Sequence, residues 1–159
     1  MSPTHNASVN SSGGKVSKTV PLILSAEIAE FDRLRTWLQE FALKRNLPEG
    51  IASRLLIAAD EVFTNIASYA YPNTSGKVEV SAEQDGTVVR LTFSDTGKPF
   101  DPLQTPDPDT KAPPEERPIG GLGIFVVKKL MDKIEYRRED NRNILVLTKN
   151  ISPEVTPCS

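Results

Sequence analysis

The chain has 159 residues and a mass of 17.5 kDa, the length of one domain that can bury a core without disulfides or a structural metal. Hydrophobic residues make up 38% and charged residues 25%, a soluble globular balance, and a net charge of −2 argues against electrostatic grip on nucleic acid as the main task. A single cysteine, Cys158, leaves no disulfide framework or zinc cluster, and a single histidine, His5, counts against His-based triads and a phospho-accepting histidine. Residues 1–18 are polar and small, with Gly13-Gly14 near their end, and read as a disordered tail without the apolar stretch of a secretory signal. No apolar run reaches the length of a membrane span, so the expected compartment is the cytoplasm.

The domain is expected over residues 19–151, with a loose C-terminal tail at 152–159. Thr19 to Leu24 read as a short strand that Pro21 confines to a sheet edge. Ile28, Phe31, Leu34, Leu38 and Phe41 recur at three- and four-residue steps and predict an amphipathic helix over about 26–45, which Asn46-Leu47-Pro48 breaks. A second helix is expected over about 49–70, with Ile51, Leu55, Ala58, Val62, Ile66 and Tyr69 as its buried stripe. A hairpin follows: Val78, Val80 and Ala82 alternate with polar residues, Asp85-Gly86 is a turn signal, and Val89, Leu91 and Phe93 alternate on the return. Residues 97–118 are rich in proline and acids and nearly free of apolar side chains, the composition of a lid, a binding loop or disorder. A third helix opens at Gly120-Gly121-Leu122-Gly123 and runs through Met131. Strands near 133–139 and 142–150 pair across Asp140-Asn141. Hairpins dominate this order, so the expected fold is an α/β two-layer sandwich: a mixed, mainly antiparallel sheet with helices on one face.

Three groups of residues can carry chemistry. Glu61 and Asn65 lie at i and i+4 on the second helix and share a face beside the apolar stripe. A carboxylate and an amide oxygen suit one Mg²⁺ completed by phosphates and waters; alternatively, Glu61 takes a proton while Asn65 holds the metal, or the pair is solvated surface. Asp95 continues the phase of Val89, Leu91 and Phe93 and therefore points to the buried face, where a carboxylate needs a partner. Asp95-x-Gly97-x-Pro99 can read an exocyclic amine while Gly97 lets a ligand approach the backbone, or it is a strand-end turn capped by aspartate. Glycines 120, 121 and 123 at a helix start suit phosphate oxygens, or form a hinge. Arg117 beside them either reaches a phosphate or is a solvated charge. The basic run Lys128, Lys129, Lys133, Arg137, Arg138 and Arg142 reads as solvated surface, and Trp37, Tyr69 and Tyr71 as packing.

In this order, Glu61-x-x-x-Asn65, Asp95-x-Gly97-x-Pro99 and Gly120-Gly121-x-Gly123 resemble the N, G1 and G2 boxes of the GHKL (Bergerat-fold, histidine-kinase-like) ATPase superfamily. Ala58 to Ile66 and Arg117 to Ile124 resemble the corresponding boxes of its anti-sigma-factor serine/threonine kinases. The resemblance implies ATP with Mg²⁺ and transfer of phosphate to a serine or threonine. It further implies a STAS-domain, anti-anti-sigma-like partner, a sigma factor as a second partner, and a homodimer. By position, Glu61 would be the general base, Asn65 the Mg²⁺ ligand and Asp95 the group that binds the adenine amine. Gly97 and the run Gly120, Gly121, Leu122 and Gly123 would line the nucleotide and its phosphates, with Arg117 near the γ-phosphate. The chain departs from the family at one point: a Gly-Thr pair before the last strand is replaced by Asn141-Arg142-Asn143. Two other readings stand beside the kinase: an ATP-binding switch that sequesters a partner without transferring phosphate, and a detached histidine-kinase ATPase domain acting on a histidine in another chain.

Overall fold

Six strands form one sheet, and every pairing in it is antiparallel. The computed structural model describes residues 16–109, 111–113, 115 and 122–152. In chain order the elements are β1 (Ser17–Lys18), β2 (Leu22–Ser25), α1 (Phe31–Lys44), α2 (Glu49–Tyr69), β3 (Lys77–Asp85), β4 (Val88–Asp95), α3 (Leu122–Leu130), β5 (Lys133–Glu139) and β6 (Arg142–Asn150). The sheet runs β1-β3-β4-β6-β5, with β2 also on β3; β3–β4 and β5–β6 are hairpins, β2 reaches β3 through α1 and α2, and β4 pairs with β6 across α3, so among the described residues no strand pair is parallel.

The expected single edge strand is two short ones separated at Val20-Pro21, because proline has no N–H for the ladder. Thr19 keeps contact across the break: its backbone N–H donates to the Ala82 carbonyl and its hydroxyl accepts from the Ala82 N–H. The first hairpin turns at Gly86-Thr87 rather than Asp85-Gly86, since Asp85 still pairs with Val88. Gly86 has φ +58°, the left-handed value wanted at the first central position of a type II′ turn. Asp140 and Asn141 both have positive φ, as a type I′ turn demands, and join β5 to β6.

The three helices cover one face of the sheet. Leu34 and Phe41 of α1, Leu55 and Phe63 of α2, and Val127 of α3 form one cluster with the inward strand residues Val78, Val80, Leu91, Phe93 and Leu147. The strand alternation read from the sequence is the observed one, but both helical stripes shift. Ile28 lies in a 3₁₀ turn before α1 and is exposed, Tyr69 is half exposed, and Ala59 and Phe63 are buried instead. Among the described residues no helix is long and apolar enough to cross a membrane.

At one end of β6, Lys149 is buried and its Nζ donates to Asp132 at 3.1 Å, while the Asn150 N–H donates to the other Asp132 oxygen. Burial alone would push the Asp132 carboxyl up, but the Asn150 N–H and the Lys149 ammonium, with Arg54 adding its field, outweigh that and hold it below its ordinary 3.8. A carboxyl depressed in the folded state contributes stability above its unfolded pKa and loses it as pH falls through the folded value. Asp132→Asn should therefore lower the melting temperature at pH 7 and flatten its decline below about pH 4. Thermal melts of both proteins between pH 7 and pH 3 check this; parallel curves would show that Asp132 gives no such linkage.

Candidate functional site

The site begins where the sheet alternation ends. Asp95 is the last residue of β4, in phase with Leu91 and Phe93, and the residue is 4% exposed. It faces Val78 on β3 and Asn143 on β6. Asp95 Oδ1 accepts from the Gly97 N–H at 2.9 Å and from Asn143 Nδ2 at 3.0 Å. The first contact is the Asx-type turn that a strand-end aspartate can make, so that reading is correct for one oxygen. Among the described residues, Oδ2 accepts no hydrogen bond, and Asp95 lines a partly open cavity. A carboxylate oxygen open to a pocket, on a residue otherwise sheltered from solvent, is available to a ligand N–H.

The cavity lies between the inner face of the sheet and the C-terminal half of α2. Val62, Asn65, Ile66 and Tyr69 come from α2, Ile124 from α3, Tyr136 from β5 and Leu145 from β6, with Lys98, Phe100 and Pro102 at its rim. This is a largely apolar slot with one carboxylate, Asp95, and two side-chain amides, Asn65 and Asn143, the usual make-up of a small-molecule pocket. Asn65 thus shares the cavity with Asp95, as its helical phase suggests. Glu61 is one turn earlier on α2 and does not line the cavity. It stands against the start of α3, where a Cβ on Gly123 would collide with Glu61 Oε2. Gly123 is therefore the close-approach glycine that lets α3 begin beside this carboxylate.

Gly97 has a packing task of its own. A Cβ there would come within 2.5 Å of the Ala70 carbonyl oxygen and 2.6 Å of the Ala70 Cβ, at the end of α2. The Ala70 carbonyl also accepts the Lys98 N–H at 2.9 Å. Gly97 thus fastens the end of α2 to the end of β4, fixing Asn65 relative to Asp95. The obstacle is backbone, which cannot swing aside as a side chain can. Gly97→Ala should cost about 1–3 kcal/mol of stability, the usual range for forced overpacking. Urea melts check this, and an unchanged midpoint would show that the helix end yields.

Arg117, Gly120 and Gly121, expected around the phosphates, lie outside the described residues; Leu122 is the first residue of α3. The first part of the expected lid packs against the domain. Pro102 is buried in a 3₁₀ turn whose cap is Asp101, and Asp107 pairs with Lys128 of α3 at 2.9 Å. So Lys128 is not a free surface charge. Neither is Arg138, whose guanidinium donates to Asn143 Oδ1 at 2.9 Å and to the Gly97 carbonyl at 3.3 Å. Tyr71 is more than packing, because its hydroxyl donates to the Lys77 carbonyl and accepts from the Thr96 N–H, bracing the turn after β4. Sequence reasoning passed over Asn143, Tyr136 and Lys98 as site residues. The signal for Asn143 was present: it is in phase with Leu145 and Leu147, as Asp95 is with Phe93.

Among the described residues no group of three or more His, Cys, Asp or Glu side chains gathers to hold a metal. A lone amide oxygen, that of Asn65, suits a hard cation that takes its other ligands from phosphates and water. The donor set therefore fits a magnesium–nucleotide and does not fit an all-protein metal cage.

Residues 24–149 match the family model described as a histidine kinase-like ATPase domain. The serine/threonine-protein kinase BtrW of Bordetella bronchiseptica is 30% identical over 139 residues, spanning 87% of this chain and 98% of that protein. The serine-protein kinase RsbW of Halalkalibacterium halodurans is 32% identical over 114 residues, covering 63% of this chain and 69% of its own length. The solved RsbU and RsbW domains of a Mycobacterium tuberculosis protein superpose with a TM-score of 0.59 over 84% of this chain and 33% of that one; at 17% identity the likeness is one of fold.

Proposed function

The chain belongs to the histidine kinase-like ATPase domain family, and on that premise we propose that it is an ATP-dependent serine/threonine protein kinase of a partner-switching pathway. The carrying observation is the juxtaposition at the cavity: an Asp95 oxygen that accepts from no described residue and opens to the pocket, Asn65 on the same wall, and Glu61 one turn away beside the start of α3. The kinase names of BtrW and RsbW support the same reading.

Each residue then has a separable task. Asp95 Oδ2 accepts an N–H from the exocyclic amine of adenine, and Val62, Ile66, Ile124 and Leu145 enclose the ring. Asn65 offers its amide oxygen to Mg²⁺, which when bound offsets the negative charge of the phosphates. Glu61 takes the proton of the incoming serine or threonine hydroxyl. The hydroxyl oxygen bonds to the γ-phosphorus, the bond from that phosphorus to the β–γ bridging oxygen breaks, and ADP leaves. By the resemblance of the glycine box, Gly120, Gly121, Gly123 and Arg117 would bind the phosphates. The acceptor is a STAS-domain, anti-anti-sigma-like protein, and a sigma factor is the partner released or captured as that protein is phosphorylated. The active form is a cytoplasmic homodimer.

Incubation with labelled ATP, Mg²⁺ and a STAS-domain protein encoded beside this chain should give a labelled acceptor, and omission of Mg²⁺ should abolish it. ATP and partner binding without any labelled acceptor would replace the kinase with a switch that only sequesters.

A further inference from the structure

Resting on the reading of the cavity as an adenine site, we propose that Asn143, locked by Tyr136 and Arg138, is the positioning residue that sets adenine selectivity by reserving Asp95 Oδ2 for the ligand. Asn143 stands across the sheet from Asp95 and is only 7% exposed. Its Oδ1 accepts from the Tyr136 hydroxyl at 2.7 Å and from Arg138 Nη1 at 2.9 Å. Its Nδ2 donates to Asp95 Oδ1 at 3.0 Å and to the Lys98 carbonyl at 2.9 Å. The amide has no second orientation. A guanidinium only donates, and a carboxylate and a carbonyl only accept, so a flipped Asn143 would set donor against donor and acceptor against acceptor.

The consequence falls on Asp95. Oδ1 is taken by two N–H donors, from Gly97 and Asn143, and the carboxylate plane is fixed between them. Arg138 is close enough to reach Asn143 and the Gly97 carbonyl, yet it makes no ion pair with Asp95. Two neutral donors rather than a cation therefore hold the carboxylate, and Oδ2 keeps its capacity to accept. A purine bearing an amine at the facing position satisfies it. A purine bearing a carbonyl there sets acceptor against acceptor, and one bearing only hydrogen leaves Oδ2 unpaired. Asn143 occupies the region in which the resemblance leads one to expect Gly-Thr, so this chain orients its aspartate with an amide clamped from β5.

The test compares ATP with the triphosphate of purine riboside, which lacks only the amine, by calorimetry on the full chain and on Asn143→Ala and Tyr136→Phe. The parent should favour ATP by about tenfold to a hundredfold, the worth of pairing one buried charged acceptor. In Asn143→Ala that preference should shrink to within about threefold, through weaker ATP binding, while the affinity for the analogue stays put. Tyr136→Phe, which removes one of the two locks and keeps the ring, should show a smaller loss of preference in the same sense. A purely structural role would weaken both nucleotides together. That result, or an unchanged preference in both variants, overturns the assignment. Failure of the parent itself to bind ATP overturns the adenine reading of the cavity, a result distinct from either.

Discussion

Glu61→Ala should lower phosphoryl transfer by roughly two to four orders of magnitude, the usual worth of a positioned general base. ATP affinity should stay nearly the same, because Glu61 does not line the cavity that Asp95 and Asn65 share. In the proposed reading, Glu61, beside Gly123 at the start of α3, acts on the incoming hydroxyl and not on the base or sugar. Partner binding should survive, since a serine docks without losing its proton. Asn65→Ala, one turn away on the same helix face, should behave differently: Mg²⁺–ATP binding weakens and transfer disappears. The contrast matters, because a variant that only damaged α2 would lose binding and transfer together at either position. Transfer of labelled phosphate, measured beside calorimetry and a pull-down of the same partner, separates these outcomes. Transfer by Glu61→Ala at the parent rate would remove Glu61 from the role of base.

Asp95→Asn should weaken ATP about tenfold to a hundredfold while leaving the fold intact, the cost of presenting a ligand with the wrong polar group at a desolvated contact. An asparagine can still accept the Gly97 and Asn143 N–H groups through its amide oxygen. Its Nδ2 then faces the cavity, where adenine also offers a donor. Turning the amide over only moves the clash, because Nδ2 would then meet the N–H groups of Gly97 and Asn143. The melting temperature should therefore change little while the binding isotherm shifts, and adenine should lose its advantage over guanine. Equal affinity for ATP in parent and variant would show that Asp95 does not read the base.

Glu61 and Asn65 were legible because helix geometry is local: four residues make little more than one turn, whatever else the chain does. Asp95 was legible because strand alternation is strict, and a carboxylate in phase with Leu91 and Phe93 can only point inward. The same rule applied to β6 would have found Asn143, the second residue of a strand whose next inward positions are Leu145 and Leu147. It was passed over because an asparagine near a turn reads first as turn chemistry. Arg138 was hidden for a different reason. In a run of six basic residues every member looks like solvated surface, and only the pairing of β5 with β6 selects the one that reaches Asn143.

The elements, their order, the inward face of each strand and the spacing of the three motifs can be read from short windows of residues, because periods of 3.6 and 2 and the φ demands of Asp140-Asn141 and Gly86 are properties of short segments. Tertiary packing settles what those segments share. It placed Asn65 and Asp95, thirty residues apart in the chain, on one cavity, and left Glu61 just outside it against Gly123. It also gave Gly97 a reason to be glycine in the Ala70 carbonyl that it touches. Above all it set the free oxygen of Asp95, through a clamp drawn from β5 and β6. A hydrogen bond between distant residues depends on strand register and helix docking, which come from the packing of the whole core and not from any window of residues.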